Sequence, residues 1–468
     1  MKKIFCDKRT LKSCKIYNML RAHAKRKHVS FHTPGHKAGD WDITELSYSD
    51  NLSCPKGVIA EAERDISALL HSSASFILTD GSTSGIFSML KASKITSLAL
   101  PRSAHKSVLN GCLILNIKPV FLEIPCSEGI PLQPCREEIE KKLKQAEALL
   151  LTSPDYYGNI AELVFLRELC DREKKLLLID GAHGGHLRRQ KELYAGAYAD
   201  FWVDGVHKSL PALTQGAVVS ARTLKQAEDL KEAVDIFRTT SPSYPIMASV
   251  EYAVKYRENP KLEREVLRFI RSNPSRIYFG GDWTKLCVRF GESSFLVEKY
   301  LEKKGVYAEF CDGNILMFYL SPATKIRDFS LLCKYLKDCF RLFPLSDSRK
   351  NPAGFSAPTS PVPPPRLSAP SFQTEWIELE RAEGRICARA CGLFPPCMPL
   401  LFPNEKIAAE KIRLLKTADN AFGLQDGKIC VFAENSDTNY RLNICIFITT
   451  WYKDYLYEKL YSRKIHHV

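Results

Sequence analysis

The chain has 468 residues, enough for two or three domains, and 45% hydrophobic with 26% charged content excludes a disordered polymer. Lys and Arg number 67 against 53 acidic residues, a formal charge of +14, but the basic residues are scattered, the nearest cluster being Arg21, Lys25, Arg26 and Lys27. With no basic stripe interleaved with aromatics, no nucleic-acid partner is expected, and with no window near ~18 apolar residues, no membrane span is expected.

The first residues (MKKIFCDKRTLKSCK) are basic but lack an apolar leader segment. Sixteen dispersed cysteines then fit free thiols in a reducing cytoplasm. Cys387, Cys391 and Cys397 lie close together, but their spacing matches no paired zinc motif, so no metal is expected.

Residues 1–30 are basic and helix-prone and read as a packing arm. From about residue 60 to 220, short apolar runs alternate with helical patterns. The runs Ser75–Leu78, Ser97–Leu100, Val120–Ile124, Leu149–Leu151, Leu176–Ile179 and Phe201–Val203 predict strands. Arg136–Glu147 and Ala161–Lys174 predict helices between them, so the expected core is an α/β, mostly parallel sheet with crossover connections. The whole of residues 31–342 is assigned to this major domain with a following helical segment. A Pro/Ser/Ala-rich stretch at 343–372 predicts an extended linker. Residues 373–436 predict a smaller α+β C-terminal domain, and 437–468 remain unassigned.

In open α/β sheets ligands bind beyond the carboxyl ends of the strands, which singles out three strand exits. Asp80-Gly81-Ser82-Thr83-Ser84-Gly85 opens a helix, where free N–H groups and hydroxyls suit a phosphate, although an ordinary capped turn reads the same way. Asp180 ends a buried strand, where a carboxylate needs a cationic partner such as a protonated pyridine, or else acts as a helix cap or metal ligand. Lys208 follows the next strand, where desolvation favours a neutral, nucleophilic amine over an ordinary surface lysine.

In this order, cradle, Asp, Lys, the three exits resemble the aspartate-aminotransferase-like (fold type I) enzymes of pyridoxal 5'-phosphate (PLP). The stretches HTPGHKAG (His32–Gly39), DITEL (Asp42–Leu46), DGSTSG, HKSV (His105–Val108), SPDYYGNI (Ser153–Ile160), DGAHGGH (Asp180–His186), HKSLPALTQGA (His207–Ala217) and TTSPSYPIMAS (Thr239–Ser249) narrow the resemblance to the Orn/Lys/Arg decarboxylase family. EGRI (Glu383–Ile386) and FPPCMPLLFP (Phe394–Pro403) extend it into the C-terminal part. The resemblance implies a seven-stranded major domain and a PLP cofactor bound covalently to Lys208. It implies that Asp180 pairs with the pyridine nitrogen and that His105 stacks on the ring. Ser82, Thr83, Ser84 and His207 would hold the phosphate, Ala182 would pack under the ring, and His183 would sit beside it. The implied reaction is decarboxylation of arginine, lysine or ornithine to an amine and CO2, as in polyamine metabolism, by a homodimer or higher homo-oligomer of the shorter biosynthetic type. Transamination, another fold type I reaction, or a catalytically degenerate PLP fold are the alternatives. Arg238 bears on that choice, because a transaminase needs an arginine to keep the substrate carboxylate.

Three positions depart from the family pattern. Gly181 stands where relatives often carry a carboxylate, Gly205 where they commonly carry Ser or Thr, and Cys397 where they often carry Gly. Gly205 leaves the phosphate short of one hydroxyl.

Overall fold

The computed structural model describes residues 5–37, 40–345, 374–393, 397–417 and 421–433. All but the start of the expected linker, and the whole of the expected tail, therefore lie outside the described residues. The chain divides into two units, Met1–Ala357 and Pro358–Val468.

The first unit opens with two short helices, α1 (Lys8–Lys12) and α2 (Lys15–His23), then α3 (Val58–Leu70). The main sheet has strands β1 (Ala74–Leu78), β2 (Ser97–Pro101), β3 (Lys118–Leu122), β4 (Ala148–Thr152), β5 (Leu176–Gly181), β6 (Phe201–Asp204) and β7 (Ala217–Ala221). Their spatial order is β1-β7-β6-β5-β4-β2-β3. The six predicted strands are all present. The seventh, β7, runs antiparallel to both of its neighbours, β1 and β6, while the remaining pairs are parallel.

The strands read as nearly continuous apolar runs because both faces are covered. Ile77, Leu149, Leu151, Ile179 and Trp202 face one core, with Ile59 and Ile66 of α3 and Met247 of helix α10 (Tyr244–Lys255). Leu78, Leu150, Leu178 and Val203 face the other. That second core takes in α4 (Ser82–Ala92) through Ile86 and Met89, and α5 (Lys106–Ile114) through Val108. It also takes in α9 (Leu224–Phe237) through Leu230 and Val234. Because side chains alternate along a strand, Asp180 shares the face of Leu178 and lies toward α4 and α5.

The N-terminal arm folds onto α10, where the buried Glu251 accepts the backbone N–H groups of Lys15 (2.6 Å) and Ile16 (2.9 Å) at the start of α2. A carboxylate at a helix N-terminus satisfies donors that the helix itself leaves open.

The later part of residues 31–342, expected to be a helical segment, also holds a second sheet. Strands β8 (Ile277–Tyr278), β9 (Lys285–Arg289), β10 (Phe310–Cys311) and β11 (Ile315–Tyr319) pair antiparallel in the order β8-β9-β11-β10. They share a core with α11 (Pro260–Arg271) and α13 (Ile326–Leu342), through Val266, Phe269, Phe329 and Leu336. Among its described residues the second unit shows two three-stranded sheets and one α-helix, Ala409–Thr417, an α+β arrangement. Its Cys397, where the family pattern favours glycine, has φ of 62°, a left-handed conformation that an L side chain adopts at a cost of about 1 kcal/mol.

Candidate active site

The cradle forms as the sequence predicts. β1 ends at Leu78, Gly81 takes φ of 85°, and α4 begins at Ser82. Ser84 turns its hydroxyl back to Gly81 O (3.0 Å), while Ser82 and exposed Thr83 stand at the helix mouth. Gly81 N donates to Gln215 O (2.9 Å), and His207 donates to the adjacent Gly216 O from its backbone N (3.1 Å). His207 Nδ1 lies 3.0 Å from the same oxygen. One turn thus holds the α4 N-terminus and His207 together, and Nδ1–H donation to Gly216 O leaves Nε2 available.

Asp180 ends β5, 2% exposed, with Oδ1 accepting from Ala182 N (3.1 Å). Burial raises its carboxyl pKa, opposed by the Lys208 ammonium and by the Ala182 N–H. Lys208 lies in α8 (Val206–Ser209), the short turn after β6, and its field also reaches His105, His183 and His207. His105 caps α5, its Nδ1 accepting from Ser107 N (3.2 Å). Burial, helped by Lys208 and Lys106, lowers the His105 pKa to about 4, so the imidazole is neutral at physiological pH.

His183 is buried, with Tyr156 and Tyr319 edge-on to it at 5.7 and 5.5 Å. Its Nδ1 has no hydrogen-bond partner. Such an atom costs about 1–3 kcal/mol, and a cofactor oxygen would relieve it. Burial, then Lys208 and Lys285, hold His183 well below its ordinary pKa. The donor set therefore fits PLP. The helix N-terminus and His207 suit a phosphate, a buried carboxylate suits a pyridinium, an orphaned imidazole nitrogen suits a ring substituent, and a lysine sits within reach. Among the described residues no group of three His, Cys, Asp or Glu could hold a metal ion. No helix among them is long and apolar enough to cross a membrane.

The departures have steric reasons. A Cβ at Gly181 would lie 2.9 Å from Val203 O and 3.3 Å from Asp204 Oδ1. The space a side chain at 181 would need is occupied by Asp204, the cross-strand partner of Gly181. Tyr194 OH donates to Asp204 Oδ2 (2.7 Å), Trp202 Nε1 donates to Tyr194 (3.1 Å), and burial pushes the Asp204 carboxyl up to about 7. A Cβ at Gly205 would lie 2.5 Å from Ala182 O. Gly205→Ser is therefore expected to destabilise the fold by about 1–3 kcal/mol through overpacking, without tightening PLP binding. Urea unfolding and PLP titration of that variant check both halves.

Arg238 is held by neighbouring backbone carbonyls and acidic groups. Its guanidinium donates to Ile77 O (3.2 Å) and Leu52 O (2.8 Å), lies 3.7 Å from Glu63 and from Asp235, and is 8% exposed as a residue.

The sequence reading missed Glu309, Tyr319 and Lys285. Glu309 is exposed, and its Oε1 accepts from Tyr156 OH (3.4 Å). Partial burial raises its pKa, offset by Tyr156, Lys208 and Lys285. The run ILMFYL between Asp312-Gly313 and Ser321-Pro322 was the available signal, a strand bounded by turn residues.

Comparison with known proteins agrees with this geometry. The chain is 28% identical over 448 residues to the uncharacterised protein YaaO of Bacillus subtilis, covering 86% of this chain and 93% of that protein. It is 27% identical over 465 residues to the arginine decarboxylase of Bacillus subtilis, covering 88% and 94%. The fold matches the constitutive lysine decarboxylase of Escherichia coli with a TM-score of 0.71 at 19% identity, over 90% of this chain and 82% of that one. It also matches a structure of SPT with PLP, with a TM-score of 0.53 at 13% identity, over 72% and 86%. The architecture is thus the α/β fold type I. Residues 40–273 match the Orn/Lys/Arg decarboxylase major domain, and that match, spanning half the chain and every cofactor motif from the cradle to Lys208, makes this chain a member of the Orn/Lys/Arg decarboxylase family.

Proposed function

We propose that the chain is a PLP-dependent decarboxylase of a long cationic amino acid, arginine, lysine or ornithine, releasing the amine and CO2. The observation that carries this reading is the meeting of Asp180, Lys208 and His105 at the carboxyl edge of one sheet, within electrostatic reach of Lys208. In it, Lys208 holds the cofactor covalently, and Ser82, Thr83, Ser84 and His207 hold its phosphate. Asp180 stays ionised against the pyridine nitrogen, Ala182 packs beneath the ring, and His183 meets the ring edge through the nitrogen that now lacks a partner. The cofactor supplies an electron sink for the pair released when the bond from Cα to the carboxylate breaks. The protein orients that bond and excludes water around it. Lys208 Nζ or His105 is the candidate acid that returns a proton to Cα; burial keeps His105 uncharged, so it must take up a proton before it can give one, which favours Lys208 as the donor.

Two features favour decarboxylation over transamination. Arg238 is committed to backbone carbonyls of Ile77 and Leu52, and Glu309 offers a carboxylate to a distal cation beside the aromatic rings of Tyr156 and Tyr319. Glu309→Gln is expected to raise KM for the basic substrate by about tenfold or more, as for loss of a charged hydrogen bond, with kcat changed less. Steady-state kinetics on the variant checks this. Product analysis with arginine, lysine and ornithine under saturating PLP tests the whole reading. Agmatine, cadaverine or putrescine with equal CO2 supports it, and acceptor-dependent keto-acid formation without CO2 replaces it with transamination. A role in polyamine metabolism, a homodimeric unit and a cytoplasmic location complete the proposal. The last fits the free state of every described cysteine.

A further inference from the structure

Lys285 is a fully buried charge that the proposed reaction leaves without a task. Its Nζ donates to Thr284 Oγ1 (3.0 Å), lies 3.3 Å from Asp282 Oδ2, and sits 4.4 Å from the centre of the Tyr319 ring. Asp282, equally buried, accepts from Thr284 N (2.8 Å) and Thr284 Oγ1 (2.7 Å) and bonds His186 Nε2 (2.9 Å). His186 belongs to DGAHGGH, so this cluster joins the loop after β5 to the second sheet. The same Tyr319 ring meets His183 edge-on, its hydroxyl donates to Tyr156 O (2.9 Å), and Tyr156 packs against His183 in turn. Apolar side chains of similar volume often replace buried ion pairs without loss of stability. Packing alone therefore does not account for an ammonium at this place.

We propose that Lys285 is a positioning residue for the Lys208 centre. Its ammonium, held by Asp282 and Thr284 against Tyr319, fixes the Tyr156–Tyr319 wall around His183. It also imposes a positive field on that imidazole and on the Lys208 nitrogen. The largest charged and titratable influences on His183 are Lys208 from α8, Lys285 from β9, Asp282 from the loop before it and His105 from the start of α5; of these, Asp282 favours a charged imidazole and the others oppose it. Glu309 feels the Lys208 and Lys285 ammoniums together. Removal of one cation from this set makes protonation of its neighbours easier.

One of the two readouts rests on the PLP reading; the other does not. Lys285→Met removes the charge at similar length, and Lys285→Arg keeps it. In PLP-loaded protein, the absorbance change that marks protonation of the Lys208-linked nitrogen is expected to move its midpoint upward by about one pH unit in Lys285→Met. It is expected to stay in place in Lys285→Arg. In cofactor-free protein, ring-nitrogen NMR shifts of His183 are expected to move its titration in the same direction in the methionine variant alone. If Lys285→Met does not fold, Lys285→Gln carries the same expectations. An unchanged midpoint in a folded neutral variant, or equal shifts in the neutral and arginine variants, overturns the proposal. A wild type that takes up no PLP overturns the proposed function instead, and the His183 titration then decides the role of Lys285.

Discussion

Lys208→Ala is expected to abolish both covalent PLP attachment and turnover, the rate falling by at least about 10³-fold. In the proposed mechanism the side chain serves as anchor and as a proton carrier, and positioned acid–base groups alone contribute about 10²–10⁴-fold. The rest of the site should survive the change, because the short turn that carries Lys208 is held by backbone bonds of its neighbours, His207 N to Gly216 O and Leu210 N to Val206 O. Borohydride reduction followed by peptide mapping should label Lys208 in the wild type and nothing in the variant. A label on another lysine of the wild type would reject the assignment.

Asp180→Asn is expected to cost about 3 kcal/mol in the barrier, on the order of 10²-fold in kcat, the size of a lost preorganised electrostatic contact. The substitution keeps the shape at the end of β5 and can keep the bond from Ala182 N. What it removes is the negative charge. Burial raises the Asp180 pKa in the cofactor-free protein, whereas a pyridinium beside it lowers that pKa again and keeps the carboxylate ionised. Single-turnover kinetics and equilibrium PLP binding separate the two parts of the effect. Near-normal turnover in a PLP-saturated variant would remove Asp180 from the mechanism.

Both residues stood out in the sequence as candidates for the same physical reason. Asp180 lies at the end of a buried strand and Lys208 just past one, and a polar group after an apolar run stands out against the chemistry of the run itself. Ser82–Ser84 were legible because Gly81 and the hydroxyl residues mark a helix start. The antiparallel β7 was not, because Ala217–Ala221 is a short run of small residues whose direction only its partners fix. Lys285, Glu309 and Tyr319 did not stand out as candidates for another reason. They come from a second sheet, and contacts such as His186 to Asp282 join residues 96 positions apart. No local periodicity records a contact of that kind. The purpose of Gly181 was equally hidden, since it depends on Asp204 filling the space across the strand pair.

The placement of β7 sets an order of assembly. β1 carries the cradle and has only β7 as a neighbour in the sheet, so residue 81 meets the turn at 215–216 only when β7 has inserted between β1 and β6. In chain order, His105 and Asp180 both precede that strand. A chain that ends short of β7 leaves β1 unattached to the sheet, and the contact between residues 81 and 215 forms late, as a long-range event.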